Sequence, residues 1–85
     1  MAYFNLAQYF YDIADNYKKE IVLRYEDETI TYEELNGLSN KIANYLLSKR
    51  IKPYDVVGIF NTKEAVGYAT MIACLKIGAT YTNID

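Results

Sequence analysis

Histidine and tryptophan are absent from these 85 residues, cysteine and proline occur once each, and glycine occurs four times. Without histidine there is no imidazole base at neutral pH, no Ser-His-Asp arrangement and no histidine zinc ligand. A single cysteine, Cys74, excludes an intrachain disulfide and a cysteine-built zinc site. It sits inside an apolar run, which marks a small core residue; a reactive thiolate needs an electropositive, accessible place. The four glycines lie too far apart for a P-loop or a dinucleotide fingerprint. No apolar stretch is long and unbroken enough to span a bilayer. The N-terminus lacks a basic region followed by an apolar run and a cleavage site. A cytoplasmic protein without a membrane partner is therefore expected.

What is present is globular in composition: 52% apolar, 24% charged, with a formal net charge of −2. That length and balance fit one small domain. A nucleic-acid partner is excluded, because displacing counterions from phosphates takes a concentrated basic face. The basic runs, Lys18-Lys19 and Lys49-Arg50-Ile51-Lys52, are short and suit the negative poles of helix dipoles. Tyrosine is abundant, with ten residues. They are scattered and not clustered with Arg or Lys, so they read as amphipathic packing and not as a stacking site.

The predicted fold class is α/β: an N-terminal helix, a short β-hairpin, a helix, then a right-handed parallel βαβ unit. The first helix is expected from Leu6 to Tyr17, with Leu6, Tyr9, Phe10, Ile13, Ala14 and Tyr17 on one stripe. Asn5 and Gln8 form a capping box there, and Phe4 and Tyr9 a hydrophobic staple. Ile21–Tyr25 and Thr29–Thr31 are strand formers around a polar turn, Glu26-Asp27-Glu28. Thr31 then caps the second helix with Glu34 completing the box, and Ile30–Leu35 forms its staple. That helix runs to Ser48, burying Leu35, Leu38, Ile42, Tyr45 and Leu46 and wetting Glu33, Asn36, Asn40, Lys41, Asn44 and Ser48.

Pro53 stops the helix and pushes Lys52 towards an extended conformation. Val56–Phe60 is uniformly apolar, as in a strand covered on both faces, with Gly58 allowing a close approach. Asn61 is expected to cap a third helix, Lys63–Ile77, with Glu64 in the box position, and Gly78 to end it in the left-handed region. Thr80–Ile84 returns parallel through a right-handed crossover. The third helix is apolar almost all round, and such helices are covered on more than one side. The chain supplies no obvious cover, which predicts a piece of something larger.

Candidate sites reduce to structural roles. Three consecutive carboxylates at a turn, Glu26-Asp27-Glu28, point in different directions and do not form a metal site. Glu33 and Glu34 complement a helix dipole. Asn61-Thr62, at the carboxyl end of a strand, is where α/β sheets bind ligands, but it doubles as a helix cap. Taken bottom-up, the chain is scaffold without a catalytic constellation.

Ile30-Thr31-Tyr32-Glu33-Glu34-Leu35-Asn36 resembles the first core motif of amino-acid adenylation domains, and Ser39-Asn40-Lys41-Ile42-Ala43-Asn44-Tyr45-Leu46 the helix after it. Leu75 to Asp85 resembles the second core motif, usually Leu-Lys-Ala-Gly-x-Ala-Tyr-Val-Pro-Ile/Leu-Asp. Between them Ile51–Ile59 is similar to the family's Gly-Val-x-Pro-Gly-Asp-x-Val-Ala-Ile segment. The match covers nearly the whole chain, in order. Asn83 replaces the usual Pro, Thr82 the usual Val, and Arg50 the Gly before Ile51.

The resemblance implies an N-terminal fragment of the large domain of an adenylate-forming ligase, residues 1–85 being a partial N-terminal subdomain of an AMP-binding domain. The whole enzyme then uses ATP and Mg2+ to make an acyl-adenylate. It passes the acyl group to a thiol, commonly phosphopantetheine on a carrier protein. The wording of the motifs favours an amino-acid substrate over acyl-CoA synthesis. The motifs present here are structural in that family. No catalytic, cofactor-binding or metal residue is therefore assigned, and the chain alone is expected to be inactive. The other reading is a free-standing, non-catalytic interaction module. The reading frame after Asp85 separates the two. The fragment reading further implies that the rest of the adenylation domain is the partner, and that the isolated chain self-associates.

Overall fold

The structure is a computed structural model that describes residues 6–25, 27–60 and 64–84, without the side chains of Tyr25 and Phe60. The elements are α1 (Leu6–Asn16), β1 (Ile21–Tyr25), β2 (Glu28–Thr31), α2 (Tyr32–Ser48), β3 (Val56–Phe60), α3 (Ala65–Ile77) and β4 (Thr80–Ile84). β1 and β2 form an antiparallel hairpin and β3 and β4 a parallel pair, each a separate two-stranded sheet. This is the α/β order expected from the sequence.

Thr31 joins the hairpin to α2 and satisfies one of that helix's open first-turn amides. Its hydroxyl accepts from the Glu34 N–H at 3.2 Å, and the Glu34 carboxylate accepts from the Thr31 N–H at 3.0 Å. Two further first-turn amides, which no helix can pair internally, find carbonyls upstream. Tyr32 N–H donates to Glu20 O at 3.0 Å and Glu33 N–H to Lys18 O at 3.1 Å. The α1–β1 connection thus doubles as a cap. Glu28 belongs to β2, opposite Tyr25, and is not a turn residue. The expected Asn5 cap and Phe4 staple of α1 lie outside the described residues.

Two helix faces differ from the expected stripes. On α1 only Ala14 is fully buried, while Leu6, Tyr9 and Tyr17 are exposed. On α2 Leu35 is buried and Leu38, Ile42 and Leu46 half-buried as expected, but Tyr45 faces water, Ser39 and Ala43 are buried and Asn36 and Asn40 half-buried. The reason is the packing of α3 against α2, the most extensive helix contact in the chain. On these two helices the small residues Ala69, Ala73 and Cys74 of α3 and Ser39 and Ala43 of α2 are buried, together with the larger Leu35.

α3 begins at Ala65 with Glu64 in the cap position, making no side-chain cap bond. The expected Asn61 cap and the Lys63 start lie outside the described residues. The helix ends as predicted at Gly78, whose φ of 76° is left-handed. Ala79 N–H donates to Cys74 O at 2.9 Å and Gly78 N–H to Leu75 O at 3.4 Å, the Schellman pattern. β4 then runs parallel to β3, with Val56 opposite Thr80 and Ile59 opposite Asn83.

Contrary to the all-apolar pattern, β3 is not covered on both faces. Ile59 is buried and Val57 half-buried, but Val56, on the opposite face, is 65% exposed. The sheet has two strands and α3 packs against it, so one face stays open. On that face Ile84 leans over Gly58: a Cβ at position 58 would lie 2.8 Å from Ile84 Cδ1. This is the close approach for which glycine was expected.

Candidate functional site

Asn61-Thr62, the ligand-site candidate at the end of β3, lies outside the described residues, as does Glu26 of the acidic turn. Asp27 of that turn and Glu28, the first residue of β2, are exposed. Among the described residues no group of three or more His, Cys, Asp or Glu is placed to hold a metal. Glu33 and Glu34 stand at the α2 N-terminus. The Thr31 N–H, and then its hydroxyl, hold the Glu34 carboxyl below its ordinary value. Cys74 is buried, and burial pushes its thiol up, away from thiolate chemistry.

An open cleft of about 440 Å³ lies between α1 and the start of α2, lined in part by Asp12, Asp15, Lys18, Glu33 and Asn36. Lys18 already pairs with Asp15 at 3.6 Å. Glu33 pairs with Lys19 at 3.2 Å, so the lining offers no free cation to take a phosphate, and among the described residues no glycine-rich loop borders it. The residues here therefore do not fit a nucleotide–magnesium site.

The most organised polar cluster is one that sequence reasoning treated only as part of a motif. Lys76, in the last turn of α3, reaches across to α2. Its ammonium donates to Asn36 Oδ1 at 2.7 Å, Ser39 Oγ at 2.6 Å and Asn40 Oδ1 at 2.7 Å. Ser39 in turn donates to Asn36 O at 2.8 Å, and Tyr11 OH of α1 donates to Asn40 Oδ1 at 3.2 Å. The ammonium also lies 4.4 Å from the Tyr11 ring centroid and 5.6 Å from that of Phe10. Burial lowers the amine from 10.5 to about 8. All three of its protons have acceptors, so the node joins three helices and offers no free nucleophile. The sequence signal was spacing: Asn36, Ser39 and Asn40 share one face of α2 at i, i+3 and i+4.

The connection into β3 carries two left-handed residues, Arg50 with φ 62° and Tyr54 with φ 76°. Arg50 occupies a second Schellman pattern, with Arg50 N–H donating to Leu47 O at 2.9 Å and Ile51 N–H to Leu46 O at 3.2 Å. Tyr54 follows Pro53 in a turn closed by Asp55 N–H to Lys52 O at 3.0 Å, with the Asp55 carboxylate accepting from Lys52 N–H. Proline followed by a positive φ is the arrangement of a type II turn. Both positions are glycine in the adenylation-domain pattern quoted above.

Comparison with known proteins gives these features a context. The AMP-binding enzyme family model matches residues 10–85. The chain is 35% identical over 77 residues to N-(5-amino-5-carboxypentanoyl)-L-cysteinyl-D-valine synthase of Amycolatopsis lactamdurans, covering 89% of this chain and 2% of that protein. The solved N-terminal subdomain of Klebsiella oxytoca NpsA superposes with a TM-score of 0.88 at 25% identity, covering 94% of this chain and 21% of that one. NpsA-ThdA, an artificially fused adenylation–PCP di-domain from the same organism, gives 0.87 at 25% identity, covering 93% and 15%. The chain thus spans a small part of each relative. The hairpin, the capped α2, the α3 stop at Gly78 and the parallel β3–β4 pair all fall within the family match, and on that match this chain belongs to the AMP-binding enzyme family.

Proposed function

We propose that this chain is the N-terminal part of an adenylate-forming ligase that activates a carboxylic acid, with residues 1–85 forming one portion of its N-terminal subdomain. The family match over residues 10–85 is the observation that carries this reading. The protein containing it would take ATP and Mg2+, which would supply the adenylyl group that activates the acid, with pyrophosphate as the leaving group. The acyl group would then pass to a phosphopantetheine thiol with release of AMP. An amino acid is the favoured acid, since the Amycolatopsis relative is named for a product made of amino-acid residues. A carrier-protein acceptor is supported by the solved adenylation–PCP fusion. A cytoplasmic location suits a reaction that draws on ATP.

The contribution of these residues is scaffolding. β3, α3 and β4 form a βαβ unit whose open sheet face, with Val56 and Ile84, and whose exposed Val66 and Leu75 are left for the remainder of the subdomain to cover. No catalytic or cofactor-binding residue is assigned to the chain. The test is ATP–pyrophosphate exchange by the protein that carries this sequence, across a panel of amino acids and simple carboxylic acids. Exchange with one or a few acids is expected, and none from the 85-residue chain alone. No exchange with any acid by the whole protein overturns the assignment.

A further inference from the structure

We propose that the connection between α2 and β3, residues 49–55, is a docking surface for a second copy of this chain, where it takes that copy's acidic hairpin turn. From Tyr45 to Tyr54 the sequence carries three cations, Lys49, Arg50 and Lys52, and no acid, in a chain whose net charge is −2. All three are exposed, and among the described residues none of them pairs with a carboxylate; the ion pairs described join Lys18 to Asp15 and Lys19 to Glu33. The next acid in the chain, Asp55, is turned back onto the Lys52 N–H at 2.6 Å. Exposed Tyr45, under the Lys49 ammonium at 5.5 Å, and the still more exposed Tyr54 add apolar surface to this stretch. The backbone supplies a separate observation. Arg50 and Tyr54 stand in the left-handed region, where glycine would escape the crowding that a Cβ meets. Neither side chain has a described hydrogen bond, ion pair or ring contact that offsets this cost. Strained residues collect where their side chains are used, and Arg and Tyr are residues that anchor protein interfaces.

The matching charge flanks the other end of α2. From Glu20 to Glu34 the sequence has six acids against one cation, Arg24. Asp27 in the hairpin turn and Glu28 beside it are exposed and have no described side-chain partner. The 17 residues of α2 span about 25 Å and hold its two flanks apart in one molecule. Exposed charges more than about 10 Å apart are largely screened at ordinary salt, so the flanks are left for another molecule to pair. Every copy brings both signs, which makes a second copy the complementary partner. Three cations are fewer than the patches that hold a nucleic acid or an anionic bilayer, whereas a weak protein contact needs no more. The contact joins unlike surfaces of the two copies and uses neither the sheet edges nor the open face of β3 and β4.

Sedimentation equilibrium on the 85-residue chain and two charge-reversed variants tests this. The unaltered chain is expected to associate at about 0.02 M salt and to do so at least about tenfold more weakly at about 0.5 M. Arg50→Glu with Lys52→Glu makes both flanks acidic, and Asp27→Lys with Glu28→Lys makes both basic. Each variant alone should self-associate about tenfold more weakly than the unaltered chain at low salt. Mixed in equal amounts, the two should bind each other at least as tightly as the unaltered chain binds itself. Association through apolar sheet faces would show no such exchange. Where a reversed variant does not fold, Arg50→Gly decides: it should weaken association about threefold while raising the urea midpoint, two changes of opposite direction. The proposal fails if the unaltered chain stays monomeric at low salt, or if its association ignores salt. It fails if the reversed variants associate as the unaltered chain does, if mixing them restores nothing, or if Arg50→Gly leaves association unchanged. Each of those outcomes assigns the surface to another occupant.

Discussion

Arg50 and Tyr54 occupy left-handed backbone, with φ of 62° and 76°, where a Cβ crowds the following carbonyl. Tyr54 gains little in return, being 88% exposed. Arg50→Gly and Tyr54→Gly are each expected to stabilise the chain by about 0.5–1 kcal/mol, after allowing for glycine's greater freedom when unfolded. Urea midpoints measure this; a fall for either variant would show that side-chain contacts outweigh the backbone cost. Lys76 gives a pH dependence. Its amine titrates at about 8 when folded against an ordinary 10.5. Between those values the unfolded chain binds more protons, so this group's contribution to stability rises as pH climbs through that window. Below it the folded state carries a half-buried ammonium. The wild-type midpoint should therefore rise relative to Lys76→Ala from pH 7 to pH 10, and a flat difference counts against the burial.

At the scale of elements, α2 depends on its first turn. Thr31 accepts from Glu34 N–H and presents its own N–H to the Glu34 carboxylate, while Tyr32 and Glu33 are bonded upstream. Thr31→Ala is expected to cost about 1 kcal/mol, read as a lower urea midpoint. Ser48→Ala, at the exposed far end, should cost much less, and equal losses would deny the cap its role. Because the bonds favour the ionised Glu34, the cap's contribution is present above the ordinary carboxylate range and fades as pH falls through the lowered value. The capping box, the Gly78 stop and the close approach at Gly58 were all legible, because each depends on residues a few positions apart or on one residue's shape. The α2 face was legible in part: Leu35, Leu38, Ile42 and Leu46 turn inward as expected, but Tyr45 is exposed and Asn36 and Asn40 are half-buried.

For the whole molecule, the core is thin. Its largest completely buried side chains are Cys74 and Ser39, and no aromatic is among the fully buried residues described. The chain extends 36 × 34 × 23 Å with a radius of gyration of 13.1 Å. A compact domain of this length would give about 12 Å. Unpaired edges on the two-stranded sheets, together with exposed Val56, Val66, Leu75 and Ile84, invite association. The isolated chain is expected to self-associate, and light scattering that shows a clean monomer at high concentration would contradict this.

The sequence by itself determined the order and type of the elements, the Thr31 cap, the Gly78 stop, the parallel return of Thr80–Ile84 and the family. These follow from periodicity, turn chemistry and motif wording, all local along the chain. Only the tertiary structure decided which faces are buried. On the packed helices α2 and α3, Ser39, Ala43, Ala69 and Ala73 are buried along with Leu35, while Tyr45 and Leu47 are exposed. Lys76 turns inward onto Asn36, Ser39 and Asn40, 36 to 40 residues away. A bond over that separation depends on where whole helices sit, which hydrophobic pattern alone does not specify.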